Sequence, residues 1–340
     1  MTTPKADGLR MPAEWEAHGQ CWMAWPNSNE RWGTRLDAAA EAYGSVAKAI
    51  AAFEPVTVVT GPARAADVSL RCGRGVSVLS AETVDSHLRD YGPTFVIDSQ
   101  AGVAGIDWRF DGTEGRAERF DKDAAIARTL LDTLKMRRYA SALALEGGAI
   151  QTDGEGTVLV TESSLLDRNP DLDRAQIEQR LGADLGAEKV IWLAGGLTGD
   201  PAGGLVDLVA GFARPGVVLA LTAAATGGAD TAVLEENLAR LRDATDSRDR
   251  RLEVIEIRQP SPIEQDGAPA PASYVSVYLA NGAVIAPQFE DARDSQALAR
   301  LKEAFPDRKI VPIDVIDIAE VGGIHAIALA QPTGTPLPPI

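Results

Sequence analysis

The chain reads as one α/β domain, and two observations predict that class. Helix-like and strand-like segments alternate along all 340 residues. Several pairs of apolar runs are separated by turn residues alone, which calls for antiparallel pairs beside any parallel crossovers. A purely doubly wound parallel sheet is thereby disfavoured.

In chain order, residues 35–53 are rich in Ala and place Leu36, Tyr43, Val46 and Ile50 at helical spacing, so they predict a helix delivering the chain to a short buried strand at 55–60. Further helices are expected at 122–135, 173–185, 229–243 and 295–305. Strands are expected at 142–145, 157–161, 189–193, 217–221, 252–257, 274–279, 284–286 and 309–313. Asn281-Gly282, between two apolar runs, is a hairpin signal. Residues 205–209, Leu-Val-Asp-Leu-Val, read as strand-like, with Asp207 a buried carboxylate in need of a partner or ligand. Residues 261–271 read as a surface loop, and the tail 331–340, with four prolines, as neither helix nor strand. No linker divides residues 1–340 into two domains.

The chain carries 33 basic and 49 acidic residues, a formal charge of −16, which argues against a protein built to hold phosphate backbones and favours a cationic small molecule. Solubility alone also explains an acidic surface. Two cysteines, Cys21 and Cys72, imply no disulfide framework. Nothing resembles a signal sequence or a span of roughly 20 apolar residues, so no membrane partner and a cytoplasmic location are expected.

His18, His87 and His325 show no helical metal-ligand spacing, and CxxC, EF-hand and phosphate-loop motifs are absent, so neither metal nor cofactor is expected. Residues 195–204 are glycine-rich but lack the lysine of a phosphate cradle and contain Asp200, so they read as a loop bordering a site.

A set of strings carries more information: Met11-Pro12-Ala13-Glu14-Trp15-Glu16, Trp22-Met23-Ala24-Trp25-Pro26, Arg89-Asp90-Tyr91-Gly92-Pro93, Gly105-Ile106-Asp107-Trp108-Arg109-Phe110, Glu146-Gly147-Gly148 and Gly322-Gly323-Ile324-His325-Ala326-Ile327. In order and spacing they resemble the agmatine deiminases, guanidine-hydrolysing members of the pentein fold family. That resemblance implies a five-fold pseudosymmetric α/β propeller of ββαβ modules with the site near the central axis and a lid-like loop near residues 261–271. It also allows a homodimer.

In such an enzyme a cysteine thiolate attacks the guanidinium carbon, two aspartates grip its nitrogens, and a histidine activates the water that releases the intermediate. Carried over by position, the resemblance implies Asp90 and Asp207 as the gripping pair and Glu146 as their support. It assigns the nucleophile's position to Ala326 and the base's to Leu205. Nearby, His87 replaces a tryptophan, Gln151 a histidine and Gly323 an asparagine, and Pro201 stands where an acidic residue meets the substrate's amine end. Trp25, with Trp22 and Trp32, is a candidate aromatic wall or core, and Arg89 a local partner of Asp90. His325, on an alternating strand, is expected to face away from Ala326 in a structural role.

The leading expectation is therefore an enzyme acting on a cationic guanidino or amino metabolite by non-covalent carboxylate chemistry. The alternatives are a catalytically silent guanidine- or polyamine-binding or partner protein, and agmatine deimination retained through a rearranged site.

Overall fold

The computed structural model describes residues 2–27, 32–112 and 120–339. Its sheets follow one recipe repeated five times. In each, a strand pairs antiparallel with the next strand, which pairs parallel with a third after a helical crossover.

The first module holds β1 (His18–Ala24), helix α1 (Leu36–Ala51) and β2 (Val56–Thr60), extended by α2 (Ala65–Cys72) and β3 (Val76–Ser80). After the short helix α3 (Leu88–Tyr91), the second holds β4 (Thr94–Ile97), β5 (Gly102–Arg109), α4 (Asp121–Ala124), α5 (Ile126–Thr133) and β6 (Arg138–Ala144). In the third are β7 (Gln151–Thr152), β8 (Thr157–Thr161), α6 (Glu162–Arg168), α7 (Arg174–Leu185) and β9 (Lys189–Leu193). The fourth contains β10 (Ala210–Arg214), β11 (Val217–Thr222), α8 (Thr231–Asp243) and β12 (Glu253–Arg258). After a small hairpin, β13 (Ile263–Gln265) and β14 (Ala268–Ala270), the fifth contains β15 (Tyr278–Ala280), β16 (Ala283–Gln288), α9 (Asp294–Ala304) and β17 (Lys309–Asp314).

The first module takes its antiparallel strand from the other end of the chain. There β18 (Ala328–Pro332) pairs with β1, Cys21 opposite Ala330 and Trp22 opposite Leu329. The five ββαβ units thus close into a ring.

Local chemistry explains the elements. Helix α1 turns Tyr43, Val46 and Ile50, all fully buried, onto the sheets, each contributing about 1.5–3 kcal/mol relative to exposure. Asp173 and Gln176 form a reciprocal capping box that starts α7, and Gly186 ends it in the left-handed region. Asn281-Gly282 makes the hairpin between β15 and β16, with Gly282 at φ 79°.

Four expectations are corrected. Residues 205–209 are not a strand: Val206–Leu208 is a 3-10 turn, whose buried face demands the same apolar composition. His325 also sits in a 3-10 turn, His325–Ile327, so strand alternation does not set its direction. The loop at 261–271 contains the β13–β14 hairpin, and in the tail β19 (Thr335–Pro336) pairs parallel with β5 at Gly102 and Val103.

Candidate functional site

The turns that lead into the modules converge on one place. α3 precedes β4, the turn Gly147–Ala149 precedes β7, Val206–Leu208 precedes β10, and His325–Ile327 precedes β18. Equivalent positions in four units therefore deliver Asp90, the Glu146-Gly147-Gly148 segment, Asp207 and Ala326 to neighbouring points. His87, Asp90, Asp200, Leu205, Asp207 and Ala326 line a narrow cavity with about 330 Å³ of space between atoms, open mouth included.

Close approach of these turns requires the glycine pair. A Cβ on Gly147 would lie 2.2 Å from the Arg89 carbonyl oxygen, and one on Gly148 would lie 2.8 Å from Asp207 Oδ2 and 2.9 Å from Leu205 Cδ1. The Gly148 N–H donates to Asp90 Oδ1 at 3.3 Å. Glycine thus lets two carboxylate-bearing turns sit against a third.

The electrostatics are lopsided. Asp90 is buried, and its acid is pushed well above the usual carboxylate range, first by burial and then by Asp207, Glu146, Asp200 and Asp85. Glu146, fully buried, rises to about 7 because burial outweighs Arg168, whose Nη2 lies 2.5 Å away without hydrogen-bond geometry. Asp200 is also raised by burial, and three backbone amides, of Ala202, Gly204 and Leu205, donate to its oxygens at 2.6–2.9 Å. It fixes the loop that carries Leu205.

Asp207 is held differently. Its Oδ2 accepts from His325 Nδ1 at 2.6 Å, and its Oδ1 is buried without a hydrogen-bond partner among the described residues. His325 Nε2 in turn donates to Glu14 Oε1 at 2.7 Å. Both acceptors are carboxylates, so both ring nitrogens carry protons. Burial and Arg89 oppose that charge, but Glu14 and Asp207 outweigh them and raise the His325 pKa. Burial lifts the Glu14 acid, yet Arg89 and His325 hold it at about 2. Gln151 Nε2 lies 3.1 Å from the same His325 Nε2. Two donors cannot share that contact, so the charged ring requires the Gln151 amide to present its oxygen.

Arg89 ties this frame together. Its Nε donates to the carbonyls of His325 and Ala328 at 2.7 and 3.0 Å, and its Nη1 to Glu14 at 2.8 Å. It clamps the turn bearing Ala326 and does not line the cavity.

Of the other residues singled out in the sequence, His87 lies with its Nδ1 3.8 Å from Asp90 Oδ2. Gly323 packs away from the cavity, where a Cβ would meet Ser276 Cβ at 2.6 Å. Trp25 is buried in the core and donates from Nε1 to Asp67 at 3.1 Å, so it is not a wall of the cavity. Neither cysteine lines it: Cys21 in β1 and Cys72 in α2 are buried, and burial pushes their thiols to about 12 and about 11. Sequence reasoning passed over Glu14 and took the direction of His325 from a strand where the backbone is a 3-10 turn. The string Met11 to Glu16 held Glu14 in view, but no local pattern links it to a histidine 311 positions away.

Comparisons agree with this architecture. The family model of the Porphyromonas-type peptidyl-arginine deiminases matches residues 10–332. A Streptomyces avermitilis protein assigned provisionally as an agmatine deiminase is 44% identical, covering 98% of this chain and 99% of its own. The agmatine deiminase of Pseudomonas aeruginosa is 37% identical, covering 97% of each chain. Among solved structures, the Enterococcus faecalis agmatine deiminase superposes with a TM-score of 0.94 at 33% identity over 98% of both chains. The chain belongs to the agmatine deiminase family within the peptidyl-arginine deiminase group and has its pentein-type fold.

Proposed function

We propose that the cavity between Asp90 and Asp207 receives the guanidinium of agmatine or a close cationic relative, and that no thiolate acts on it. One observation carries this reading: Asp207 Oδ1 is buried without a partner beside Asp90, whose neighbours are mostly carboxylates. A planar cation donating to both groups satisfies the orphan oxygen and allows Asp90 to ionise. Glu146 supports the pair from behind, and the loop around Asp200 borders the entrance.

Ala326 and Leu205 line the same cavity at the positions the resemblance assigns to nucleophile and base. A methyl and an isobutyl group can neither add to the guanidinium carbon nor take a proton. Any turnover then relies on direct attack by water at that carbon, with a carboxylate accepting its proton and ammonia leaving after proton transfer to the departing nitrogen. Failing that, the protein binds its cation without changing it.

A second reading, agmatine deimination itself, is favoured by the activity in the names of the relatives. Incubation with agmatine, followed by mass spectrometry for the ureido product and by ammonia assay, separates the readings. The proposal expects binding, seen by calorimetry and lost in Asp207→Asn, with at most slow turnover and no covalent adduct. Ala326→Cys combined with Leu205→His should gain deimination by orders of magnitude. Rapid agmatine turnover by the unaltered chain would overturn the thiolate-free reading in favour of the second. Absence of binding to agmatine and other guanidino cations would remove the cation site itself.

A further inference from the structure

A second cavity, sharing no residue with the first, lies between β12 and α9. It has about 500 Å³ of space between atoms, open mouth included, and is lined by Thr222, Glu256, Arg258, Arg293, Gln296 and Arg300. Three guanidiniums at one cavity stand out in a chain of formal charge −16.

Their orientation is fixed mostly by neutral groups. Arg258 donates through Nε and Nη2 to the Ala224 carbonyl at 3.0 and 2.6 Å, and Arg293 Nη2 donates to the same oxygen at 3.3 Å. Arg293 Nη1 donates to Ser261 Oγ at 2.6 Å, and Arg300 Nε to the Glu256 carbonyl at 3.1 Å. Sharing one acceptor holds two cations within about 6 Å of each other, a repulsion that an anion between them would relieve.

The nearby carboxylates are already paired, two of them with arginines of this cavity. Glu256 pairs with Arg242, Glu303 with Arg300, and Asp291 lies 3.6 Å from Arg293 Nη1. No carboxylate among the described residues pairs with Arg258. Its remaining N–H groups, with the amide of Gln296, leave donors on several sides of one space. Planar guanidinium forks approaching from different elements suit a tetrahedral oxyanion better than a flat carboxylate.

We propose that this cavity is a binding site for a phosphate-class oxyanion, either free phosphate or a phosphate group carried on a metabolite. Arg258 and Arg293 are its principal ligands, with Arg300 closing the third side.

The test is thermal unfolding and titration calorimetry of the full chain with inorganic phosphate, with a nucleoside triphosphate, and with sodium chloride at matched ionic strength. Phosphate at tenfold excess over its Kd should raise Tm by about 1–3 °C beyond the chloride control. That rise should vanish in Arg258→Gln and in Arg293→Gln. A response to the triphosphate alone assigns the site to a carried phosphate; a response to both assigns it to the bare oxyanion. Chloride matching phosphate, or a full response surviving in both variants, overturns the proposal. If the variants fail to fold, the unaltered chain still decides: no heat with either phosphate probe refutes it, while saturable heat absent with chloride, together with phosphorus NMR broadening that chloride cannot displace, upholds it.

Discussion

His325 shows how one side chain can set the charge state of a site without lining its cavity. It lies between Asp207 at 2.6 Å and Glu14 at 2.7 Å, so removing it strands the Asp207 carboxylate in buried surroundings and leaves Glu14 with Arg89 alone. His325→Asn should cost about 3–5 kcal/mol, read as a lowered urea midpoint; a loss no larger than that of a surface substitution would show that the contacts carry little energy. The same residue shapes the pH dependence. Its raised pKa gives a contribution that is complete below the unfolded value near 6.5 and lost as pH climbs through the folded one. Glu146 and Asp123, both pushed by burial to about 7, lose stability in the same direction between their ordinary range and that value. Glu14 works oppositely: its contribution is complete above 4.5 and lost as pH falls toward about 2. Stability should therefore peak in mildly acidic solution and decline into the alkaline range, and a denaturation series across pH will show it. Cation binding has the reverse trend on the alkaline side. Asp90 must give up its proton to pair with a guanidinium, so affinity should rise with pH with proton release, measurable by calorimetry in buffers of different ionisation heat.

At the level of elements, function rests on short turns more than on strands or helices. Gly148→Ala brings a methyl against Asp207 Oδ2 and Leu205, so it should weaken cation binding by at least about tenfold with a modest cost in stability. Gly147→Ala meets rigid backbone at 2.2 Å and should instead lower stability by about 1–3 kcal/mol or more. Equal effects of the two on binding and stability would contradict this division. These turns also mark where sequence reading ran out. Strongly periodic segments were legible: 157–161 and 189–193 match β8 and β9, and 173–185 matches α7 with its Asp173 cap. The run at 205–209 was not, because a buried 3-10 turn and a buried strand need the same apolar residues. The backbone at His325 was misread for the related reason that a period of two applies only where the backbone is extended. Asp90, Asp207 and Ala326 could be singled out through neighbouring motifs, whereas the role of Glu14 depends on a contact across nearly the whole chain.

On the scale of the molecule, alternating patterns announced an α/β class, and the Asn281-Gly282 turn announced antiparallel pairing. The five-fold repetition left no sequence repeat to find, since each unit keeps the ββαβ recipe while using different residues. Closure between β1 and β18 holds the ring, and the turn bearing Ala326 enters directly into β18. Deleting residues 328–340 should therefore abolish cooperative unfolding, followed by circular dichroism. Deleting only the segment after β19 should leave it nearly intact. Cooperative unfolding of the longer deletion would show that the ring does not depend on its closing strand.

That closing pair also has a meaning in time. Cys21, Trp22 and Met23 leave the ribosome about three hundred residues before their partners Ala330, Leu329 and Ala328 are made. At ordinary synthesis rates the interval is tens of seconds, during which β1 offers an apolar, unpaired edge. The module that holds β1 is thus completed only after the other four, and the nascent chain must be shielded along that edge until β18 arrives.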